Sequence, residues 1–210
     1  MSLKHLLAVS ALAFALPQLA IAAEAPVPAG VYKVDPNHAS IGWSIKHLGL
    51  SNYHARFAKF DAEVSVDQAN PAASKLSFKL DPASVRTDYS GDYQATHKGS
   101  PFKTWEEAIA KGFLGADKTP QITFTSSAFK LDGENQGVVT GELTMNGVTK
   151  PVSFTVALTG AGEHPFAKKA AFGIAAAGVV KRSDFGVAQQ LNAALGDEVA
   201  IEFNGEFLKQ

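Results

Sequence analysis

The chain has 210 residues, 46% of them hydrophobic and 19% charged, with a formal net charge of −1. So even a balance excludes a nucleic-acid surface or a polybasic membrane patch as the organising feature. The absence of cysteine excludes disulfide frameworks, thiol redox chemistry and thiolate zinc sites.

At the start, Met1-Ser2-Leu3-Lys4-His5 precede an apolar run from Leu6 to Leu16 broken only by Ser10, then Pro17, Gln18 and small residues. That order is the charged, apolar and small-residue order of a secretory signal, with cleavage after Ala22 or Ala23. The run is shorter than the ~20 residues a spanning helix needs. With no cysteine there is no lipoprotein acceptor. The expectation is a signal peptide over 1–23 and a single exported, periplasmic domain over 24–210.

After a short entry containing Pro26 and Pro28, apolar residues fall on every second position. Val31 to Val34 open the first strand, and Ile41, Trp43 and Ile45 face away from Ser40, Ser44 and Lys46. Phe60, Ala62, Val64 and Val66 oppose Asp61, Glu63, Ser65 and Asp67, a solvent face. Leu76, Phe78 and Leu80 follow. Ile122 and Phe124 start a strand whose phase slips at Ser126-Ser127 before Phe129 and Leu131, as a bulge produces. Val139, Gly141, Leu143 and Met145 lead to Asn146-Gly147, a strong hairpin signal, with Val152, Phe154, Val156 and Leu158 returning. Phe172, Ile174 and Ala176 form another strand, and Val199, Ile201, Phe203 and Phe207 the last.

Two segments read as helical: Trp105 to Lys111, stopped by Gly112, and Val187 to Leu195, stopped by Gly196. Two helices cannot serve as crossovers for eight strands, so the sheet is predicted to be antiparallel. The fold class is all-β, an eight-stranded antiparallel lipocalin-like barrel with one or two short helices. Such a barrel either fills itself with side chains or holds one elongated ligand. Outer-membrane barrels share the alternation, but the chain ends Phe207-Leu208-Lys209-Gln210 and shows no aromatic girdles, which favours the soluble form.

Of the candidates for chemistry, His38, His47, His54, His97 and His164 lack the close pairing a metal site needs. No G-x-S-x-G elbow, Walker loop or G-x-G-x-x-G after a strand is present, and no catalytic residue, metal or cofactor is assigned. Gly173, Gly178 and Gly186 read as strand kinks and a turn. Arg182-Ser183-Asp184-Phe185-Gly186 ends a long strand, where a barrel has its mouth. There Arg182 either pairs with Asp184 structurally or holds a polar head group or a diphosphate. Phe57, Phe60, Phe78, Phe124, Phe154, Phe172 and Phe203 lie on or beside the apolar face, where lining a cavity and filling a core look alike in sequence.

Taken together, the segments resemble the YceI-like family of exported, lipocalin-like barrels that bind polyisoprenoid lipids. The resemblance is carried by Val34-Asp35-Pro36-Asn37-His38-Ala39, by His47-Leu48-Gly49 followed by Arg56-Phe57 and Phe60, and by Ser84-Val85-Arg86-Thr87. It continues through Pro120-Gln121-Ile122-Thr123-Phe124, Arg182-Ser183-Asp184-Phe185-Gly186 and Gly196-Asp197-Glu198-Val199. The most specific block runs from Gly141 to Val152, reading G-x-L-T-x-x-G-V-T-K-P-V. The chain departs from the family where R-D-x-H-L is common: it has Gly91-Asp92-Tyr93-Gln94-Ala95-Thr96-His97 and then an insertion-like helix, Thr104 to Gly112, placed to cap or reshape the pocket entrance.

The resemblance implies a carrier for an isoprenoid quinone or polyprenyl phosphate, its tail in the barrel and its head at the mouth. The ligand-contacting set is then Trp43, Ile45, His47, Phe57, Phe60, Phe78, Phe124, Leu143, Phe154, Phe172, Ile174, Arg182, Asp184, Phe185 and Phe203. The implied partners are the polyisoprenoid lipid or quinone itself and a transient contact with a membrane lipid donor or acceptor. No nucleic acid and no membrane-spanning segment is expected, and a homodimer is left open. Two other readings compete: an enzyme using His47, in phase with Trp43 and Ile45, on a hydrophobic substrate, and a dry, filled barrel acting in stress response.

Overall fold

The structure, a computed structural model, describes residues 27–133, 135–191 and 193–210. The signal peptide expected over 1–23 lies outside the described residues. Ten strands follow one another: β1 (Gly30–His47), β2 (Ser51–Phe57), β3 (Phe60–Val66), β4 (Lys75–Leu80), β5 (Val85–Thr87), β6 (Ile122–Leu131), β7 (Gln136–Met145), β8 (Val148–Glu163), β9 (Ala170–Lys181) and β10 (Leu195–Lys209). All pair antiparallel in the order β10-β9-β8-β7-β6-β4-β3-β1-β2-β5, and β10 also pairs with β1, which closes the ring.

The closed barrel has eight staves. β1 is long enough to pair with β3 through Gly30–Lys33 and with β2 through Ile41–His47. β2 and β3 are therefore one interrupted stave, and β4 and β5 another. A buried hydroxyl stitches the two interruptions together: Ser84 Oγ accepts from Lys59 N at 2.9 Å and donates to the Asp81 carbonyl at 2.7 Å, while Ala58 N donates to the Ser84 carbonyl at 3.0 Å.

Two local expectations appear as turn and bulge geometry. Asn146 and Gly147 have φ of 51° and 76°, the left-handed pair of a type I′ hairpin, and the β6–β7 register slips between Ser126 and Ala128. Helix content departs from the reading. A short helix α1 (Tyr93–Thr96) precedes α2 (Trp105–Glu107), which continues as a π-helical stretch over Ala108–Phe113 and so runs through Gly112. Among the described residues of Val187–Leu195 the expected helix does not form, and Gln190 adopts φ of 54°. The segment's carbonyls are drawn inward to Arg182, as described below, which no helix permits.

Loops collect at two ends. The helical end carries residues 48–50, the long 88–121 connection and the turns at 146–147, 182–191 and 193–194; the hairpin end carries 67–74, 132–133, 135 and 164–169.

On the outer wall, β1 bulges between Val34 and Ala39. There Asp35 accepts from Asn37 N and pairs with His38 Nδ1 at 2.8 Å. The hydrogen bond to Asp35 raises the His38 pKa above 6.5, and the same bond holds Asp35 below the ordinary carboxylate value. The contribution of His38 to stability is complete below its unfolded value and is lost as pH rises through the raised one. That of Asp35 is present above 3.8 and lost as pH falls through its lowered value. In an NMR titration the His38 midpoint lies above 6.5, and Asp35→Asn returns it toward 6.5.

Candidate functional site

Inside the ring, the apolar halves of the alternating strands face one another across a cavity of about 1240 Å³. Ligand pockets for drug-sized molecules run about 300–1,000 Å³, so this one suits something larger. It is also long. Leu195 and Phe207, at opposite ends of β10, both line it and are separated by about 40 Å of strand at ~3.3 Å per residue. Close backbone approach makes room for large rings along the wall: a Cβ on Gly178 would stand 2.4 Å from the Phe154 ring, which meets Phe124 edge to face at 5.5 Å.

At the hairpin end the wall is a phenyl-rich stack. Phe172 lies flat on Phe207 at 5.2 Å and tilted to Tyr32 at 4.9 Å. Phe78 meets Phe203 edge to face at 6.3 Å, and Phe60 backs both without itself facing the cavity.

An aromatic cap covers part of the helical end. Ile109 and Ala110 of the π-helical stretch pack with Val85, against Trp43, Tyr53, Phe57 and Trp105. Tyr53 meets Trp43 at 6.1 Å and Trp105 edge to face at 6.3 Å, and His97, Tyr93 and Trp105 form a mutual cluster with centroids 4.3 Å (His97–Tyr93), 5.3 Å (His97–Trp105) and 5.6 Å (Tyr93–Trp105) apart. Thr87 Oγ1 anchors the cap by donating to Glu106 Oε1 at 2.5 Å. Burial works against the Glu106 charge, but hydrogen bonds from Thr87, from Glu106's own amide and from Thr104 together hold the carboxyl below its ordinary value. Two buried polar atoms at this end, Trp43 Nε1 and Tyr53 Oη, make no hydrogen bond among the described residues, and burial pushes the Tyr53 hydroxyl up.

Arg182 borders the same end, 4% exposed. Its Nε donates to the Gly196 carbonyl (2.8 Å), Nη1 to those of Val187 and Gln189 (2.8 Å each), and Nη2 to that of Leu195 (3.3 Å). Burial lowers its pKa and the Asp197 charge opposes that shift. Asp197 is itself held by the amide and hydroxyl of Ser183 at 2.9 and 2.8 Å. Asp184, offered by the sequence as a partner for Arg182, is exposed and forms no ion pair among the described residues. The guanidinium is thus a hub for the 182–196 turn, with its fork already engaged.

Of the residues singled out in sequence, Trp43, Ile45, His47, Phe57, Phe78, Phe124, Leu143, Phe154, Phe172, Ile174, Arg182 and Phe203 line the cavity. Phe60, Asp184 and Phe185 do not; Phe185 is fully buried behind the wall, packed with Val180 and Met145. His47 lies at the rim and is exposed, and His38, His54 and His164 stand away from the cavity. Among the described residues no group of three or more metal-ligating side chains comes together. The cap residues Tyr53, His97, Trp105 and Ile109 fall outside the ligand-contacting set, although Trp105 and Ile109 lie in the Thr104–Gly112 helix expected to cap or reshape the entrance. Tyr53 carries a strand signal of its own, since Tyr53, Ala55 and Phe57 alternate with Asn52, His54 and Arg56.

Comparison with known proteins finds a match to the YceI-like domain over residues 32–207. Protein YceI of Escherichia coli O157:H7 is 35% identical over 181 residues, which is 85% of this chain and 87% of that protein. The crystal structure of BcnA from Burkholderia cenocepacia superposes with a TM-score of 0.65 at 26% identity, covering 82% of this chain and 98% of that one. A polyisoprenoid binding domain from Saccharophagus degradans, implicated in plant cell wall breakdown, shares the fold with a TM-score of 0.59 at 10% identity, covering 87% and 100%.

Proposed function

This chain belongs to the YceI-like family, and from that premise we propose that it binds and carries a polyisoprenoid lipid, without catalysis, in the periplasm. The observation that carries the reading is the cavity: about 1240 Å³, running the length of the barrel and walled by Phe, Ile, Leu and Val. Each methylene moved from water into such a wall contributes about 0.8 kcal/mol, so a tail of several isoprene units offsets the cost of association. A distant structural neighbour described as a polyisoprenoid binding domain supports the same class of ligand. A lipid of this kind is nearly insoluble in water, which gives an exported carrier its purpose, and the leader-like residues 1–23 fit export.

Between a quinone and a polyprenyl phosphate, the helical end favours the uncharged head. Arg182 has committed four of its five N–H donors to backbone carbonyls, while Trp43 Nε1 and Tyr53 Oη have no partner among the described residues, in a cap of aromatic rings. A carbonyl or hydroxyl head suits such donors, and a dianion there would lack a free guanidinium.

Trp43 and Trp105 both stand at this end, so their fluorescence reports occupancy. Titration with geranylgeraniol gives a saturable one-to-one change, and geranylgeranyl phosphate binds no more tightly. Absence of saturation with either probe overturns the carrier reading; tighter binding of the phosphate overturns the neutral head.

A further inference from the structure

The two ends of the cavity differ in the side chains that ring them. At the hairpin end the exposed lining residues are mixed: the charged and polar Asp67, Gln68, Lys130 and Gln136 stand beside Pro71, Asn135 and Leu131, the last 54% exposed. At the helical end they are His47, Ser51, Tyr89, His97 and Gln190, without an acid or a lysine among them. Between His47 and Ser51 the chain turns through Leu48-Gly49-Leu50, whose leucines are 55% and 84% exposed.

The turn's backbone makes those leucines conspicuous. Leu48 and Gly49 have φ of 52° and 72°, nearly the 51° and 76° of Asn146 and Gly147, and Leu50 N closes the turn on the His47 carbonyl at 2.9 Å. At the 146–147 turn the chain uses asparagine, which tolerates the left-handed region; at 48–49 it places a leucine there, a strained choice. Leu48 N also donates to the Ala194 carbonyl at 2.7 Å, so the turn is braced against the 182–194 segment. A strained, braced and exposed apolar turn has no folding rationale, because asparagine would hold the same angles at lower cost.

We propose that the Leu48-Gly49-Leu50 turn, with Tyr89 beside the same rim, is a lipid-bilayer contact that seats the helical end of the cavity on the membrane surface. The inference rests on the carrier reading, because a bilayer is where a polyisoprenoid cargo resides. It adds which end loads and which residues touch the membrane. The leucines enter the interface while the charged residues at the hairpin end stay in water, and no polybasic patch is required, so binding is apolar in character. Phe166, 90% exposed at the other end, does not compete for this role, because its turn carries Glu163, Lys168 and Lys169.

The test is flotation of the exported protein with phosphatidylcholine vesicles. The wild type partitions onto them, nearly independently of salt. The double variant Leu48→Asn/Leu50→Ser, chosen because asparagine suits the turn, keeps its melting temperature and its geranylgeraniol binding but partitions at least about tenfold less. Phe166→Ser partitions as the wild type does. No flotation of the wild type, an unaltered double variant, or loss in Phe166→Ser alone overturns the proposal. Geranylgeraniol binding without flotation sinks the membrane contact alone; flotation without geranylgeraniol binding sinks the carrier reading alone.

Discussion

Replacing Arg182 by alanine is expected to destabilise the barrel by about 3–5 kcal/mol, among the largest effects a single substitution produces. The side chain is 4% exposed and supplies the hydrogen bonds for four carbonyls of the turn that joins β9 to β10. Its removal strands those carbonyls and leaves a hole beside Val187 and Leu195. For a domain of this size the loss corresponds to a fall of roughly 10 °C in melting temperature. Arg182→Lys recovers less than half, because one ammonium cannot fan out to carbonyls spread from Val187 to Gly196. Hydrogen exchange locates the damage: amides of residues 183–196 lose protection first. A head-group arginine would behave differently, with lost ligand affinity and an unchanged melting temperature, and that result would contradict the hub described above.

Blocking the cavity separates ligand binding from folding. Ala176 on β9 faces the interior between Val156 of β8 and Phe203 of β10. Ala176→Trp fills the tail's path at mid-barrel, and excluding even three or four methylenes' worth of contact weakens geranylgeraniol binding by about a hundredfold. Its neighbour Ala177 points outward and is exposed, so Ala177→Trp leaves affinity unchanged and controls for the bulk of the ring. Both variants keep the barrel's far-ultraviolet circular dichroism. Equal affinity in Ala176→Trp and the wild type would show that the tail does not pass mid-barrel.

Much of the fold is legible because its signals are local. Ile41, Trp43 and Ile45 against Ser40, Ser44 and Lys46 set a period of two, and the same period marks every stave. Asn146-Gly147 fixes the β7–β8 register, and the slip at Ser126 shows as a break of phase. What was not legible depends on how side chains pack in the folded barrel. Val187 to Leu195 has a helical composition, yet the buried guanidinium of Arg182, just before the segment, claims the carbonyls of Val187 and Gln189. The stretch Trp105 to Lys111 reads as an α-helix stopped at Gly112, but Leu114 N bonds back to the Ile109 carbonyl at 3.0 Å and the coil widens to a π-helix as it packs on Val85. The cap likewise emerges only when the 88–121 connection folds over the end of the barrel and brings Trp105 and His97 to Tyr53.

For the site, the inward-facing strand residues follow from the same alternation, so Phe78, Phe124 and Phe203 could be placed without coordinates. Whether they enclose space or fill it could not. That depends on ring packing around glycines such as Gly178, which sequence periodicity does not encode.

The central claim, that the barrel holds a polyisoprenoid lipid, is tested most directly by purifying the protein without detergent, extracting it with organic solvent and analysing the extract by mass spectrometry. The account expects a neutral polyprenyl species, a quinone foremost, at close to one per chain. An extract free of isoprenoid lipid, from protein that also takes up none when incubated with geranylgeraniol, would contradict it.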